Sequence, residues 1–329
     1  MNKDEESEIY YDLYQSPETS LRHKRKILQT RILKLSKFES ESLYGQIGTE
    51  LLESGKLQES LIFLKRATIV QPHGTVAWID LATALFKLEK ENEAFLYIKK
   101  ALCLTHAAYS LHNFVIKTLE ERDRLEDLEN FYEETAKALT DAKSISVLYF
   151  NSAENLVGSK NYPLAIKMYK KAIEADSTKS GYHYQYAKAL YHEGIFEEAI
   201  VAFENVMKLY PTDKLACNNV AYLNYCVGRV EKAREKYEKI IEKGFEIYAT
   251  YSNFILVLSH LGEDEEVIEK YKALFMPYIQ SHGDLLRMIY KEAVRVTEAL
   301  LQRDDIDEET REFNIKKLKG TNLIFPLLN

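Results

Sequence analysis

The chain has 329 residues, of which 44 are basic and 51 acidic, giving a formal charge of −7, and 46% are hydrophobic. Such a composition can bury a full core, which excludes wholesale disorder, and its negative balance argues against general nucleic-acid binding. With 12 glycines and 6 prolines, about 5% of the chain against about 12% in an average protein, turn-formers are too few for a many-stranded β fold. The sequence therefore reads as all-α.

In chain order, residues 1–15 are acidic and tyrosine-rich and predict a disordered tail. Residues 16–40 predict a helix with Leu21, Leu28, Ile32 and Leu35 on one face and a basic remainder that includes Arg22, Lys24, Arg25 and Lys26. Two readings of this helix stand side by side: a cap over the exposed end of a helical array, or a nuclear-import, anionic-lipid or nucleic-acid contact centred on residues 22–26. The start lacks the pattern of a signal peptide, no apolar run reaches the length needed to cross a bilayer, and Cys103, Cys217 and Cys226 form no CxxC pair. A reducing, cytoplasmic location is the expectation.

A repeat follows. The stretches YPLAIKMYKKAIEADS and FEEAIVAFENVMKLYP share one frame at an offset of 34, which matches Ala165 with Ala199, Tyr169 with Phe203 and Ser177 with Pro211. Extended forwards, the frame aligns Gly194, Gly228 and Gly262, and the rings of Tyr237 and Tyr271 fall in line with Tyr169 and Phe203. Extended backwards, it collects Trp78, Leu81, Ala82, Leu85, Ala94, Ile98 and Ala101, then Tyr44, Ile47, Gly48, Leu51, Leu64, Ala67 and Pro72. Seven units begin at Glu41, Thr75, Tyr109, Ser146, Ser180, Lys214 and Tyr248, each step being 34 residues except one of 37 between the third and fourth.

These residues resemble the tetratricopeptide repeat, a helical hairpin with a 34-residue period. The resemblance implies a right-handed superhelix of hairpins, units one to three over residues 41–142 and units four to seven over residues 146–281, closed by N- and C-terminal capping helices. Small residues such as Ala82, Ala153, Ala187 and Ala221 on the first helix, and Ala94, Ala165, Ala199 and Ala233 on the second, allow close approach. Glycines 55, 194, 228 and 262 suit a left-handed turn between the two helices. The third unit departs most: Leu128 and Thr135 replace small residues, no glycine marks its turn, and residues 143–145 are an insertion. Either the superhelical pitch changes there or a loop absorbs the extra length.

Residues 282–329 predict capping helices, with Leu285, Met288, Ile289, Val294, Val296 and Leu300 at helical spacing, then an apolar tail. Ile324, Phe325 and Leu327 in that tail fold back on the cap or dock elsewhere. No phosphate-binding glycine loop, HExxH or GxSxG occurs, and the eight histidines are scattered. The expectation is a non-enzymatic protein without cofactor, metal or small-molecule substrate.

In tetratricopeptide proteins the concave groove is lined by positions two, five, six, nine, twelve and thirteen of the first helix. Carried onto units four to seven, the resemblance selects Phe150, Asn151, Glu154, Tyr184, Gln185, Lys188, Tyr191, Asn218, Asn219, Tyr222, Tyr225, Asn253 and His260. Position six holds Asn151, Gln185, Asn219 and Asn253 in succession, although only 15 of 329 residues are asparagine and asparagine is a poor helix former. This resembles the asparagine ladder by which the solenoid of O-GlcNAc transferase holds a peptide backbone, a task suited to a carboxamide because it both donates and accepts. The alternative is that these amides bond to one another or to the adjacent repeat. The lysines, arginine and asparagines of the chaperone-type carboxylate clamp are absent. The expected function is an adaptor or scaffold that binds an extended segment of a partner protein; the alternative is a structural assembly protein that self-associates through its caps or convex surface as a homo-oligomer.

Overall fold

A computed structural model describes residues 37–245, 247–301 and 307–324. The predicted N-terminal tail, most of the basic helix, and Phe325 and Leu327 lie outside the described residues. Among the described residues the chain forms α-helices and one 3-10 turn, with no strand. The helices follow as hairpins: α1 (Lys37–Glu53) with α2 (Leu57–Val70), α3 (Thr75–Lys87) with α4 (Glu91–Leu104), and α5 (Tyr109–Glu120) with α6 (Leu128–Ala136). Next come α7 (Ala142–Gly158) with α8 (Tyr162–Ala175), α9 (Ser180–His192) with α10 (Phe196–Leu209), and α11 (Lys214–Cys226) with α12 (Val230–Glu242). Last are α13 (Tyr248–Leu261), α14 (Glu265–Leu301) and α15 (Glu308–Ile324).

The described residues divide into two compact units, the first ending at Asp176 and the second beginning at Ser177. The division falls one hairpin later than the irregular third unit suggested, because α7 packs back against α5 and α6 and so joins the first unit. Residues 143–145 are not a loop: they form the first turn of α7, which Asp141 caps by accepting a hydrogen bond from the Ser144 N–H at 2.8 Å. The added length is thus taken up as helix.

Within each hairpin the small residues sit where the helices touch. Ala82, Ala153, Ala187 and Ala221, and opposite them Ala94, Ala165, Ala199 and Ala233, are all fully buried. Leu128 and Thr135 are also buried, but the helix carrying them is short and is entered through a 3-10 turn over Leu125–Asp127. The closest approach is at Gly48, where an added Cβ would stand 2.5 Å from Leu64 Cδ2. The turns between paired helices contain a left-handed residue at Gly55, Glu89, Asp123, Lys160, Gly194, Gly228 and Gly262, with φ from 54° to 78°. Glycine adopts this conformation freely, whereas Glu89, Asp123 and Lys160 do so at a steric cost.

Candidate functional site

The inner faces of the first helices differ between the two units. In the first unit three of the four position-six residues, Asp80, Phe114 and Asn151, are engaged from within, while Gln46 of α1 is half-buried without a side-chain hydrogen bond to another described residue. Thr49 donates to Asp80, and burial holds the Asp80 carboxyl above the usual carboxylate range. Phe86 packs 6.3 Å from Phe114 while the Arg122 guanidinium lies 4.3 Å over the Phe86 ring. Of the predicted groove residues, Phe150 packs 5.7 Å from Tyr169, and Glu154 accepts the Tyr169 hydroxyl. The Asn151 amide turns back on its own helix and donates to the Val147 carbonyl at 2.8 Å.

The second unit leaves its amides open. Gln185, Asn219 and Asn253 stand at the same position of α9, α11 and α13, each half-buried. No side-chain hydrogen bond joins any of them to another described residue. Around them Lys188 is exposed and Tyr191 is 38% exposed, while Tyr184 packs edge-on to Phe203 at 5.3 Å and Tyr222 is half-buried. Burial raises the Tyr191 phenol pKa above its ordinary value. The alternative pairing of amides across repeats is not what these three residues do.

Two predicted groove residues stand elsewhere. Asn218 is 4% exposed, and its Oδ1 accepts the Thr250 hydroxyl at 3.4 Å. Thr250 in turn accepts the Ile247 N–H at 3.0 Å and so caps α13, which gives Asn218 an internal role at the start of the next hairpin. Tyr225 is fully buried because α15 comes to lie on it: the Phe313 ring is 5.2 Å from Tyr225 and 5.0 Å from His260, and the Tyr225 hydroxyl is 3.4 Å from His260 Nδ1. Burial, aided by the charge of Lys316, lowers the His260 pKa. Sequence reasoning missed this closure because nothing in the repeat period indicates where the last helix docks. Beside it remains a cleft of about 650 Å³ lined by Tyr191, Phe196, Tyr222, Cys226, Phe313 and Lys317 among others.

Among the described residues no group of three His, Cys, Asp or Glu side chains could hold a metal ion, and no helix is long and apolar enough to cross a membrane. No protein-family model matches the sequence, and no curated protein matches it. Among solved structures, MamA is similar at 15% identity over 60% of this chain and 94% of its own, with a TM-score of 0.32. YrrB, described as a TPR protein with an unusual peptide-binding site, is 20% identical over 54% of this chain and 91% of its own, with a TM-score of 0.32. The pilF protein of Pseudomonas aeruginosa is 17% identical over 62% of this chain and 91% of its own, with a TM-score of 0.29. The deciding feature is internal: hairpins with buried alanines at the helix contacts and a left-handed residue at each turn. The fold is of the tetratricopeptide type. Tetratricopeptide hairpins bury their apolar faces against their neighbours, which leaves the inner and outer surfaces as the places for function.

Proposed function

We propose that the seven hairpins are seven tetratricopeptide units and that the protein is a non-enzymatic adaptor or scaffold. Its inner face in the second unit binds an extended segment of a partner protein. The observation that carries this reading is the row of three carboxamides, Gln185, Asn219 and Asn253, none bonded to another described side chain or backbone group. Asparagine is disfavoured inside a helix, and the polar atoms of these half-buried amides are open to water, which leaves them available to a peptide backbone.

Adjacent helices of such an array lie about 10 Å apart and an extended peptide advances about 3.3 Å per residue, so successive amides meet its backbone about every third residue. Three amides then hold a segment of about seven residues. Tyr184, Tyr191 and Tyr222 contact its side chains and favour apolar or proline-containing sequences, while Lys188 stands at the exposed edge. Phe150, Asn151 and Glu154 are the corresponding residues of the first unit, where internal contacts already engage them.

Selection of a random decapeptide display library on the intact chain tests the proposal. Enriched peptides should protect the amides of α9, α11 and α13 from hydrogen exchange. Protection confined to the second helices would contradict it. A second reading, self-association through the outer surface, draws on three strongly exposed aliphatic side chains on the second helices of the first two hairpins, Ile62, Ile69 and Leu96. Light scattering behind size exclusion separates the two: a monomer across concentrations excludes self-association.

A further inference from the structure

We propose that α15 is a built-in occupant of the distal groove. It is seated through Phe313 in an aromatic notch formed by Tyr225 and His260, and a partner segment carrying an aromatic side chain takes this notch by displacing it. The inference rests on the proposed groove and adds to it a second element of recognition.

Three observations carry it. First, α15 does not merely close the end of the array. Phe313 touches Tyr225 of α11 and His260 of α13, and Gly320 lies so close to α13 that a Cβ would stand 3.1 Å from Leu256 Cδ2 and 3.3 Å from Leu256 Cα. Tyr225, Leu256 and His260 all occupy first-helix positions twelve, nine and thirteen, the positions the repeat directs inward. Second, the face by which α15 docks is poorly suited to a permanent core. Asn314 and Thr321 are buried on it, yet they donate within α15 itself, to the carbonyls of Thr310 at 2.8 Å and Lys317 at 2.9 Å. Lifting the helix therefore leaves those donors satisfied. Third, the seat is open on one side: the cleft of about 650 Å³ beside Phe313 reaches Tyr191 and Tyr222, so an incoming aromatic ring can enter next to Phe313 before α15 leaves. Arg311 donates to the Leu301 carbonyl at 2.8 Å and keeps the start of α15 attached to α14.

The occupant shows what the notch accepts: an aromatic ring, with a small residue seven positions on along the same helical face, as in Phe313 and Gly320. In the intact chain the tethered copy competes with any free ligand, so a mutation that loosens α15 should raise affinity for a free segment of the same kind.

The probe is a fluorescein-labelled peptide of residues 308–324, titrated against the full-length chain and against full-length Phe313→Ala and Gly320→Ala. The added methyl of Gly320→Ala presses on Leu256 without altering the notch, and alanine favours the helix, so this variant keeps the experiment decisive if Phe313→Ala folds poorly. Both variants should bind the peptide about tenfold or more tightly than the unaltered chain, and the peptide carrying Phe313→Ala should not bind. Equal weak binding by all three chains, with a lowered melting temperature in the variants, would make α15 a structural cap and overturn the proposal. Failure here is distinguishable from failure of the amide row: Asn219→Ala with Asn253→Ala alters affinity for library-selected extended peptides but leaves the contrast between Phe313 variants intact.

Discussion

The indole N–H of Trp78 donates to the carbonyl of Pro72 at 2.9 Å, and the same six-residue reach recurs at two other hairpins. His112 Nε2 lies 2.9 Å from the His106 carbonyl and His183 Nε2 3.0 Å from that of Ser177. In these three hairpins a ring nitrogen thus satisfies a carbonyl in the loop before the first helix and fixes the entry of that helix. Replacing Trp78 by phenylalanine keeps an apolar ring but leaves Pro72 without its donor. The first unit should lose about 1–2 kcal/mol in denaturant unfolding, with the second unit unaffected.

His112 adds a pH dependence. It is fully buried, stacked at 5.5 Å on Tyr132 and within 2.8 Å of the Tyr132 hydroxyl, and burial pushes its pKa down to about 4. An unfolded histidine titrates near 6.5, so between these values the unfolded chain binds the proton that the folded chain refuses. The stability this residue contributes is full above pH 6.5 and is lost as pH falls towards 4, by about 3 kcal/mol in all. Denaturant midpoints of the first unit should fall over that window, and His112→Phe should flatten the fall.

Close approach makes Gly48 specific. A methyl group there meets Leu64 at 2.5 Å and its backbone nitrogen at 3.2 Å, so Gly48→Ala should cost about 1–3 kcal/mol despite its better helix propensity. Loss of the first hairpin's cooperative unfolding is the accompanying sign. A gain in stability would mean that α1 and α2 separate easily.

The opposite sign is expected at Lys160, which holds φ at 61° in the turn between α7 and α8. Lys160→Gly relieves the steric cost and should stabilise the first unit by about 0.5–1 kcal/mol after the entropy of glycine is counted. Thermal unfolding of the two chains side by side measures it.

What was legible in the sequence follows from period. The 34-residue spacing fixes which alanines touch and where the turns fall, because helix contacts repeat with the chain. Glu89, Asp123 and Lys160 at the turn were not legible, since a steric cost of about 1–2 kcal/mol leaves no compositional mark. The groove was legible only in part. Asn219 and Asn253 stand out as costly helix residues in register with Gln185, whereas Asn218 looks the same in sequence and is buried because Thr250 of the next hairpin reaches it. The burial of Tyr225 depends on where α15 docks, a tertiary choice that no repeat encodes.

The most direct measurement of the proposed function is the affinity of a library-selected extended peptide for the intact chain and for Asn219→Ala with Asn253→Ala, read by calorimetry beside a thermal melt. Each amide contributes backbone contacts worth about 1 kcal/mol, so the double variant should bind about tenfold or more weakly while its melting temperature holds or rises. Unchanged affinity together with a melting temperature lowered by several degrees would show that these amides serve the fold and not a partner.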